Sequence, residues 1–242
     1  MNRKIKEILN KNLYRPSWYS IVINPYFIVR RNLLSIMVDF TNDDFTGKNI
    51  LDVGCGIKPY ESLFLGSSYI GIDIQGGGHK DEEKKPNKFY DGSHIPFDNN
   101  CFSYVISTEV LEHVFDPQKL LSEMARVLKP GGSILVTMPF VWPEHEIPFD
   151  SQRFTRYKLL QIFKEVGFVD ITISERAGVF RVCGQLISAF IFERLFPKNK
   201  LLKSISAILL CFPIQVFFII FDMVFKNTWI ALNYSVKAKK PL

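Results

Sequence analysis

The sequence predicts an α/β fold built around a parallel sheet. Four short apolar runs, rich in β-branched residues, have the composition of strands buried on both faces. These runs are Lys48–Val53, Tyr69–Ile74, Phe102–Ser107 and Ser133–Met138. An amphipathic helical segment separates the third run from the fourth. Strands that alternate with helices predict parallel pairing with right-handed crossovers.

The helical segment has recognisable ends. Asp116 can cap its first turn, and Pro117 suits the first helical position. The apolar face recurs at helical spacing, at Leu120, Leu121, Met124 and Leu128. The Pro-Gly-Gly sequence at 130–132 is expected to end the helix and turn the chain into the next strand.

The region after the fourth strand begins with a long loop. Residues 139–157 contain three prolines and are expected to be irregular. Later periodicities predict a helix over Lys158–Val166 that Gly167 ends, and strands over Phe168–Ser174 and Trp229–Val236.

The hexapeptide LDVGCG at 51–56 is the most informative motif. A strand carrying Asp52 passes into Gly54 and Gly56, whose lack of side chains lets the backbone turn sharply and approach a ligand. Asp73, seventeen residues past Gly56, ends the next strand, where a carboxylate can accept hydrogen bonds from both ribose hydroxyls. The chain has neither the GxGxxG pattern nor a GKS or GKT sequence. The spacing therefore predicts a nucleoside site that does not require phosphates.

These motifs resemble the class I S-adenosylmethionine-dependent methyltransferases, especially the branch called methyltransferase type 11. The resemblance covers about residues 47–175 through LDVGCG, the acid in YIGIDI, DGSHIPFDNNCFSYVISTEVLEHV and LLSEMARVLKPGGSILVTMP. It implies S-adenosylmethionine as cofactor and a Rossmann-like sheet of seven strands, mostly parallel, whose antiparallel last strand lies between its neighbours. Many members have a further glycine where Lys58 stands, so the second half of this loop is expected to differ in shape.

The resemblance also implies a cofactor site. It assigns Asp52, Gly54, Cys55 and Gly56 to the methionine part, Asp73 with the adjoining Ile74 to the ribose, Asp91 and Gly92 to the adenine, and Glu109 to the sulfonium. Asp52 is expected to steady the glycine loop or to meet the amino group through water.

The acceptor side is predicted in the loop after the fourth strand run. His145 is the candidate base for an acceptor that must lose a proton, and His113 is a weaker candidate that can equally be a locally packed residue. A polar cluster is expected around His145, at Glu144, Asp150, Arg153, Arg156 and Tyr157. It can bind a polar acceptor or form a salt-linked loop. No metal is predicted.

Charge is distributed unevenly along the chain. Residues 1–31 hold seven Lys and Arg against one acid, and residues 198–242 hold seven Lys against one acid. Basic segments beside apolar ones favour an anionic lipid surface. Nucleic acid is the rival partner, but no basic stripe with stacking aromatics is visible, and solvated lysines at the chain ends are the other alternative. The charge run at 80–85 predicts a solvated loop. Four scattered cysteines predict neither disulfides nor zinc, and no secretory signal is recognised.

An apolar tract, Ile205–Phe221, lies between the predicted sixth and seventh strands. Both ends of the tract must return to one sheet, which argues against a single membrane span. Seventeen helical residues span only about 25 Å. Pro213 is expected to kink or break the helix. With the shorter apolar piece Gly184–Phe196, the tract is expected to form a shallow hairpin or to lie flat at a membrane surface. A dimer interface or a hydrophobic lid over the acceptor pocket are the alternatives.

The predicted organisation has four parts. They are an N-terminal helical cap (1–46), the methyltransferase core (47–177), the apolar helical insertion (178–227), and the last strand with a basic tail (228–242). The apolar N-terminal stretch at 18–38 is expected to pack beside the insertion.

The sequence favours a cytoplasmic enzyme held peripherally or monotopically at the inner face of the membrane. The expected reaction is methyl transfer to a small or lipid-linked acceptor, at a hydroxyl of a glycan precursor in polysaccharide biosynthesis. A C-methyltransferase of a prenylated quinone and a non-catalytic membrane or partner adaptor are the alternatives, and the oligomeric state stays open.

Overall fold

We describe the fold from a computed structural model, which describes residues 12–42, 44–195 and 199–242. Residues 1–11 of the basic N-terminal segment at 1–31 lie outside these residues. In the described part of the chain, one sheet contains seven strands in the order β3-β2-β1-β4-β5-β7-β6. The strands are β1 Asn49–Val53, β2 Ser68–Ile74, β3 Lys88–Tyr90, β4 Phe102–Thr108, β5 Leu128–Pro139, β6 Val169–Arg176 and β7 Asn233–Lys239.

The described residues also form five longer helices. They are α1 Phe27–Phe40, α2 Pro117–Val127, α3 Arg156–Val166, α4 Val179–Phe190 and α5 Lys200–Val224. Strands β3, β2, β1, β4 and β5 pair in parallel. The predicted Rossmann-like sheet, mostly parallel with an antiparallel last strand and a helical insertion before it, is confirmed.

Some predicted bounds were wrong. Strand β3 was not predicted, because its three residues, of which Lys88 and Phe89 are exposed and Tyr90 is half-buried, are too few to carry a strand pattern. Strand β7 begins at Asn233, four residues later than predicted, and Trp229 is 85% exposed. Helix α2 ends at Val127, before the Pro-Gly-Gly sequence, because the residue before a proline is disfavoured in helical conformation and Leu128 already pairs with Phe102 of β4. The capping of α2 is as predicted, since Asp116 accepts a hydrogen bond from the Lys119 amide at 3.0 Å.

The chain forms two compact units. The core unit comprises residues 39–174 and 234–242, and the helical unit comprises residues 1–38 and 175–233, of which residues 12–38, 175–195 and 199–233 are described. The predicted four-part division of the chain stays a prediction.

The helical unit contains an antiparallel helical hairpin made by α4 and α5. The ring of Phe180 lies 5.7 Å from that of Phe221, and the Cys211 thiol is 3.5 Å from the Ser188 carbonyl oxygen. Gly184 makes this close packing feasible, because a Cβ at that position would lie 2.6 Å from Phe218. The apolar tract therefore folds back on the preceding helix.

The N-terminal chain joins this hairpin, as predicted. The Gln185 side chain accepts from the Val29 amide at 3.0 Å and donates to the Pro25 carbonyl oxygen at 3.0 Å. The Gln215 amide donates to the Asn24 carbonyl oxygen, also at 3.0 Å. Both glutamines are buried, so these bonds satisfy polar groups that burial would otherwise penalise.

Helix α5 corrects two expectations about the apolar tract. The helix has 25 residues, so its length is about 37 Å rather than 25 Å, and an 18-residue window within it has a mean hydropathy of 2.4. It passes through Pro213 without breaking, because residues Ala207–Cys211 form a π-helical segment just before the proline. The wider turn accommodates a residue that lacks an amide hydrogen. Among the described residues α5 alone is long and apolar enough to cross a membrane, which is a statement of length and composition only.

Candidate functional site

The carboxyl ends of the parallel strands bring the predicted cofactor residues to one edge of the core unit. Gly54 follows β1, Asp73 lies near the end of β2, Asp91 follows β3 and Glu109 follows β4. In an open parallel sheet this edge forms the ligand crevice.

The glycine loop after β1 turns sharply, as the motif predicts. Gly54 has a φ of +73°, and its amide donates to the Ile72 carbonyl oxygen at 2.9 Å. A Cβ on Gly54 would collide with the Val110 side chain. Gly56 has a φ of +50°, and nothing lies within 4 Å of the position that its Cβ would take. The loop thus leaves open space beside exposed backbone, which suits a ligand that approaches the main chain closely.

Asp73 ties this loop to β2. Its carboxylate accepts from the Gly56 amide and from the Ile74 amide, each at 2.8 Å. Lys84 lies 3.5 Å away and also donates to the Ile74 carbonyl oxygen at 2.7 Å. The Lys84 side chain is only 5% exposed, so the prediction of a solvated charge run at 80–85 was wrong for this residue. The sequence KDEEKK does not indicate which of its lysines becomes buried.

Asp52 is buried beneath the glycine loop. The Tyr69 hydroxyl donates to its Oδ2 at 2.5 Å, and its Oδ1 has no hydrogen-bond partner. Desolvation raises the pKa of Asp52 to about 7, although the bond from Tyr69 acts in the opposite direction. Near neutral pH this carboxyl group is therefore partly protonated.

This shift predicts a pH-dependent contribution to stability. Between about pH 4 and pH 7 folded Asp52 keeps a proton that the unfolded chain has released, so its contribution to the free energy of unfolding falls as pH rises. Relative to Asp52→Asn, the wild type is expected to lose roughly 2–4 kcal/mol across this window. Urea denaturation at pH 5 and pH 8 measures the difference, with the exposed Asp170→Asn as control. Parallel pH profiles of wild type and Asp52→Asn would contradict the expectation.

Two further predicted cofactor residues hold turns at the same edge. Asp91 Oδ1 accepts from the Ser93 and His94 amides at 2.7 Å each, and these bonds lower the pKa of Asp91. Glu109 has a φ of +55° and its carboxylate accepts from the Thr137 hydroxyl at 2.9 Å. A non-glycine residue in this conformation is uncommon and marks a constrained position.

On the acceptor side, His145, Asp150 and Arg153 come together. His145 Nδ1 lies 3.0 Å from Asp150 Oδ2, and the two terminal nitrogens of Arg153 donate to the same carboxylate at 2.5 and 2.7 Å. Burial raises the pKa of Asp150, but the bonds from Arg153 and the His145 amide outweigh it and hold this pKa well below its usual range. An ionised Asp150 orients the His145 ring and leaves Nε2 free of that contact.

Glu112, which the sequence did not single out, lies beside this triad. His113 Nε2 is 3.7 Å from Glu112 Oε1 and 3.8 Å from Glu146 Oε2, and the His113 ring lies 4.8 Å from that of His145. Glu146 also contacts His79 at 2.8 Å. This cluster was not predicted, because its members come from segments that lie far apart in the sequence. The adjacent Glu112 and His113 are the one local pattern that could have indicated it.

The remaining predicted acceptor residues, Glu144, Arg156 and Tyr157, differ in exposure. Glu144 is exposed, Tyr157 is 80% exposed, and Arg156 is half-buried at the start of α3. Whether they contact an acceptor stays a prediction.

Comparison with known proteins agrees with this geometry. A family model described as a methyltransferase domain matches residues 51–136, from β1 into β5. The chain contains a class I S-adenosylmethionine-dependent methyltransferase domain. The resemblance read from the sequence motifs is thereby confirmed.

Relatives of this methyltransferase domain act on varied acceptors. The chain is 28% identical over 104 residues to phosphoethanolamine N-methyltransferase 2 of Caenorhabditis elegans, which covers 38% of this chain and 24% of that protein. It is 27% identical over 202 residues to demethylmenaquinone methyltransferase of Lactococcus lactis, which covers 65% and 78% respectively. The chain thus spans about a quarter of the length of the first relative.

A solved structure shares the fold of the methyltransferase domain. Phosphoethanolamine N-methyltransferase 2 of Haemonchus contortus, in complex with S-adenosyl-L-methionine, superposes with a TM-score of 0.58 at 20% identity. The match covers 96% of this chain and 59% of that one. At this identity the likeness shows the fold alone.

Proposed function

We propose that the chain transfers a methyl group from S-adenosylmethionine to a hydroxyl of a small or lipid-linked acceptor. The observation that carries the proposal is the convergence of the glycine loop, Asp73, Asp91 and Glu109 at one sheet edge, with a polar His145 cluster in the same unit. The open space beside Gly56 and the unpartnered Oδ1 of Asp52 fit a cofactor with an amino-acid part.

The residues of the chain have separate tasks in this proposal. S-adenosylmethionine supplies a methyl group already activated on a sulfonium, so the protein mainly has to hold the acceptor atom in line. Asp73 would hold the ribose, Asp91 with Gly92 the adenine, and the loop at 54–56 the methionine part. Glu109 would place a negative charge beside the sulfonium.

His145 would promote loss of the acceptor proton. Its Nδ1 is engaged with Asp150, so Nε2 can act either by accepting the proton or by holding a cation that lowers the pKa of the hydroxyl. The first route is the role that the sequence predicts for His145. His113 would act beside it.

His145→Ala is expected to lower the rate of methyl transfer about 10²–10⁴-fold while S-adenosylmethionine still binds, because the residue acts on the acceptor and not on the cofactor. Transfer of label from methyl-labelled S-adenosylmethionine into glycan and lipid extracts measures the rate, and calorimetry measures cofactor binding. His94→Ala, whose ring contacts Glu123 at 2.9 Å, is the control. Unchanged transfer by His145→Ala would overturn the role.

The helical unit supports a location at the membrane surface. Apolar side chains of α5 are half or more exposed, namely Leu201, Leu209, Phe217, Ile220, Met223 and Val224. Lys200 and Lys203 stand near its start. A cytoplasmic enzyme held peripherally or monotopically at the inner face of the membrane would bury this apolar surface and place the lysines against anionic lipid. A lipid-linked glycan precursor is the acceptor that suits this location.

A second candidate is C-methylation of a prenylated quinone. The Lactococcus lactis relative is named for demethylmenaquinone, and an isoprenoid tail would suit the same apolar surface. C-methylation of demethylmenaquinone by the purified chain would favour this candidate over the glycan hydroxyl. A non-catalytic adaptor is the third reading, and S-adenosylmethionine that binds without any turnover in extracts would favour it.

A further inference from the structure

The carboxylate of Glu112 is buried without a hydrogen bond. Its side chain is 0% exposed, and neither of its oxygens has a hydrogen-bond partner. Its backbone carbonyl oxygen, by contrast, accepts from the Ser151 amide at 3.0 Å and so anchors the loop at 139–157, which also contains His145. The nearby Arg153 already donates two hydrogen bonds to Asp150. An ionised carboxylate in this position is strongly disfavoured unless a proton or a cation compensates its charge.

Two imidazoles converge on this carboxylate. Glu112, His113 and His145 each offer one ligand atom, and all three atoms lie within 4.8 Å of one another. A cation of the zinc type binds such atoms at about 2.0–2.2 Å, so side-chain movements of about an ångström would close the site. Two histidines with one carboxylate are a donor set that zinc, manganese and iron use, with coordination positions left for other ligands.

The surroundings of His145 fit a ligand role better than that of an isolated base. Metal-binding histidines generally donate their second ring N–H to a carboxylate, which fixes the tautomer and the ring orientation. Asp150 stands in that position, 3.0 Å from His145 Nδ1, and is itself held by Arg153. The side chain of Asp150 is 1% exposed, so this outer contact is protected from water.

We infer that Glu112, His113 and His145 bind a divalent transition cation, which holds the acceptor oxygen for the proposed reaction. Sequence spacing predicts no metal here, because His145 lies 32 residues from His113. The acceptor role rests on the proposed function, whereas cation binding does not. In the step, the bound hydroxyl gives its proton to water and its oxygen forms a bond to the methyl carbon. The carbon–sulfur bond breaks and its electron pair stays on sulfur.

Cobalt binding tests the site directly. The full chain, stripped of metal with a chelator, is titrated with Co²⁺ and followed by visible absorption, with Zn²⁺ as competitor. One equivalent is expected to bind, and Glu112→Gln is expected to weaken binding about a hundredfold or more, because a buried anionic ligand is lost. His94→Ala is the matched control and is expected to bind like wild type, since its ring contacts Glu123 instead.

Other outcomes separate the possibilities. Absence of stoichiometric Co²⁺ and Zn²⁺ binding would overturn the inference and would leave a protonated Glu112 as the explanation of its burial. Binding that survives Glu112→Gln would also overturn it, because the ions would then occupy histidines elsewhere. Circular dichroism of each variant verifies folding, and calorimetry measures its binding of S-adenosylmethionine. If the cation binds and the cofactor does not, the proposed function fails while the metal site stands.

Discussion

Asp73→Ala is expected to weaken binding of S-adenosylmethionine by about a hundredfold or more. The carboxylate is the group proposed to accept from both ribose hydroxyls, and each hydrogen bond to a charged partner contributes about 1.5–3 kcal/mol. The variant also removes the acceptor of the Gly56 amide, which lies 2.8 Å from Asp73, so the glycine loop loses a contact at the same time. Isothermal titration calorimetry with S-adenosylmethionine and S-adenosylhomocysteine measures the loss.

The control for this variant is an acid outside the proposed site. Asp170→Ala removes an exposed carboxylate that pairs with Lys239 at 3.2 Å, and cofactor affinity is expected to stay unchanged. Circular dichroism of Asp73→Ala separates loss of binding from loss of folding. Cofactor affinity equal to that of wild type would remove Asp73 from the site and would count against the nucleoside prediction as a whole.

Polar substitution of the exposed face of α5 is expected to abolish flotation with liposomes. The combined variant changes Leu209, Phe217, Ile220 and Met223 to Gln, at positions that are 52–65% exposed. Full burial of such a side chain contributes about 1.5–3 kcal/mol, so four half-exposed residues amount to several kcal/mol of membrane affinity. Vesicles with anionic lipid are expected to bind wild type more tightly at low than at high salt, because Lys200 and Lys203 are screened.

A matched variant distinguishes lipid contact through α5 from nonspecific association through any exposed apolar side chain. Leu65 and Phe115 are 77% and 96% exposed in the core unit, and changing both to Gln is expected to leave flotation intact. Flotation of the α5 variant like that of wild type would contradict the membrane proposal. If wild type does not float and is a dimer that the α5 substitutions dissociate, the apolar face serves subunit contact instead.

The parts of the site that sequence predicts are those encoded by local backbone geometry. Gly54 and Gly56 have positive φ, which only a sharp turn demands, and Asp73 ends the next buried strand, so motif and spacing predict their placement. The α2 cap at Asp116 is local in the same way. Such features depend on few neighbouring residues and therefore leave a pattern in the sequence.

The parts that sequence misses depend on tertiary contacts and turn geometry that no residue pattern encodes. Lys84 becomes buried because carbonyl oxygens of another segment accept its hydrogens. Glu112 becomes a candidate metal ligand only because the fold brings His145, which follows β5, close to it. Pro213 was expected to interrupt its helix, but the outcome depends on whether the preceding turn can widen, which composition does not reveal.

The position of β7 between β5 and β6 has a consequence for biosynthesis. The ribosome synthesises β5 and β6 long before Asn233–Lys239, so β5 keeps one unpaired edge and β6 lacks its neighbour in the described sheet while residues 177–232 are being made. The whole apolar hairpin emerges in that interval. A nascent chain therefore presents an open sheet edge and an apolar helix pair together, and both invite association with other chains until β7 arrives. Early capture of the hairpin, by a lipid surface or a chaperone, would shorten that vulnerable period.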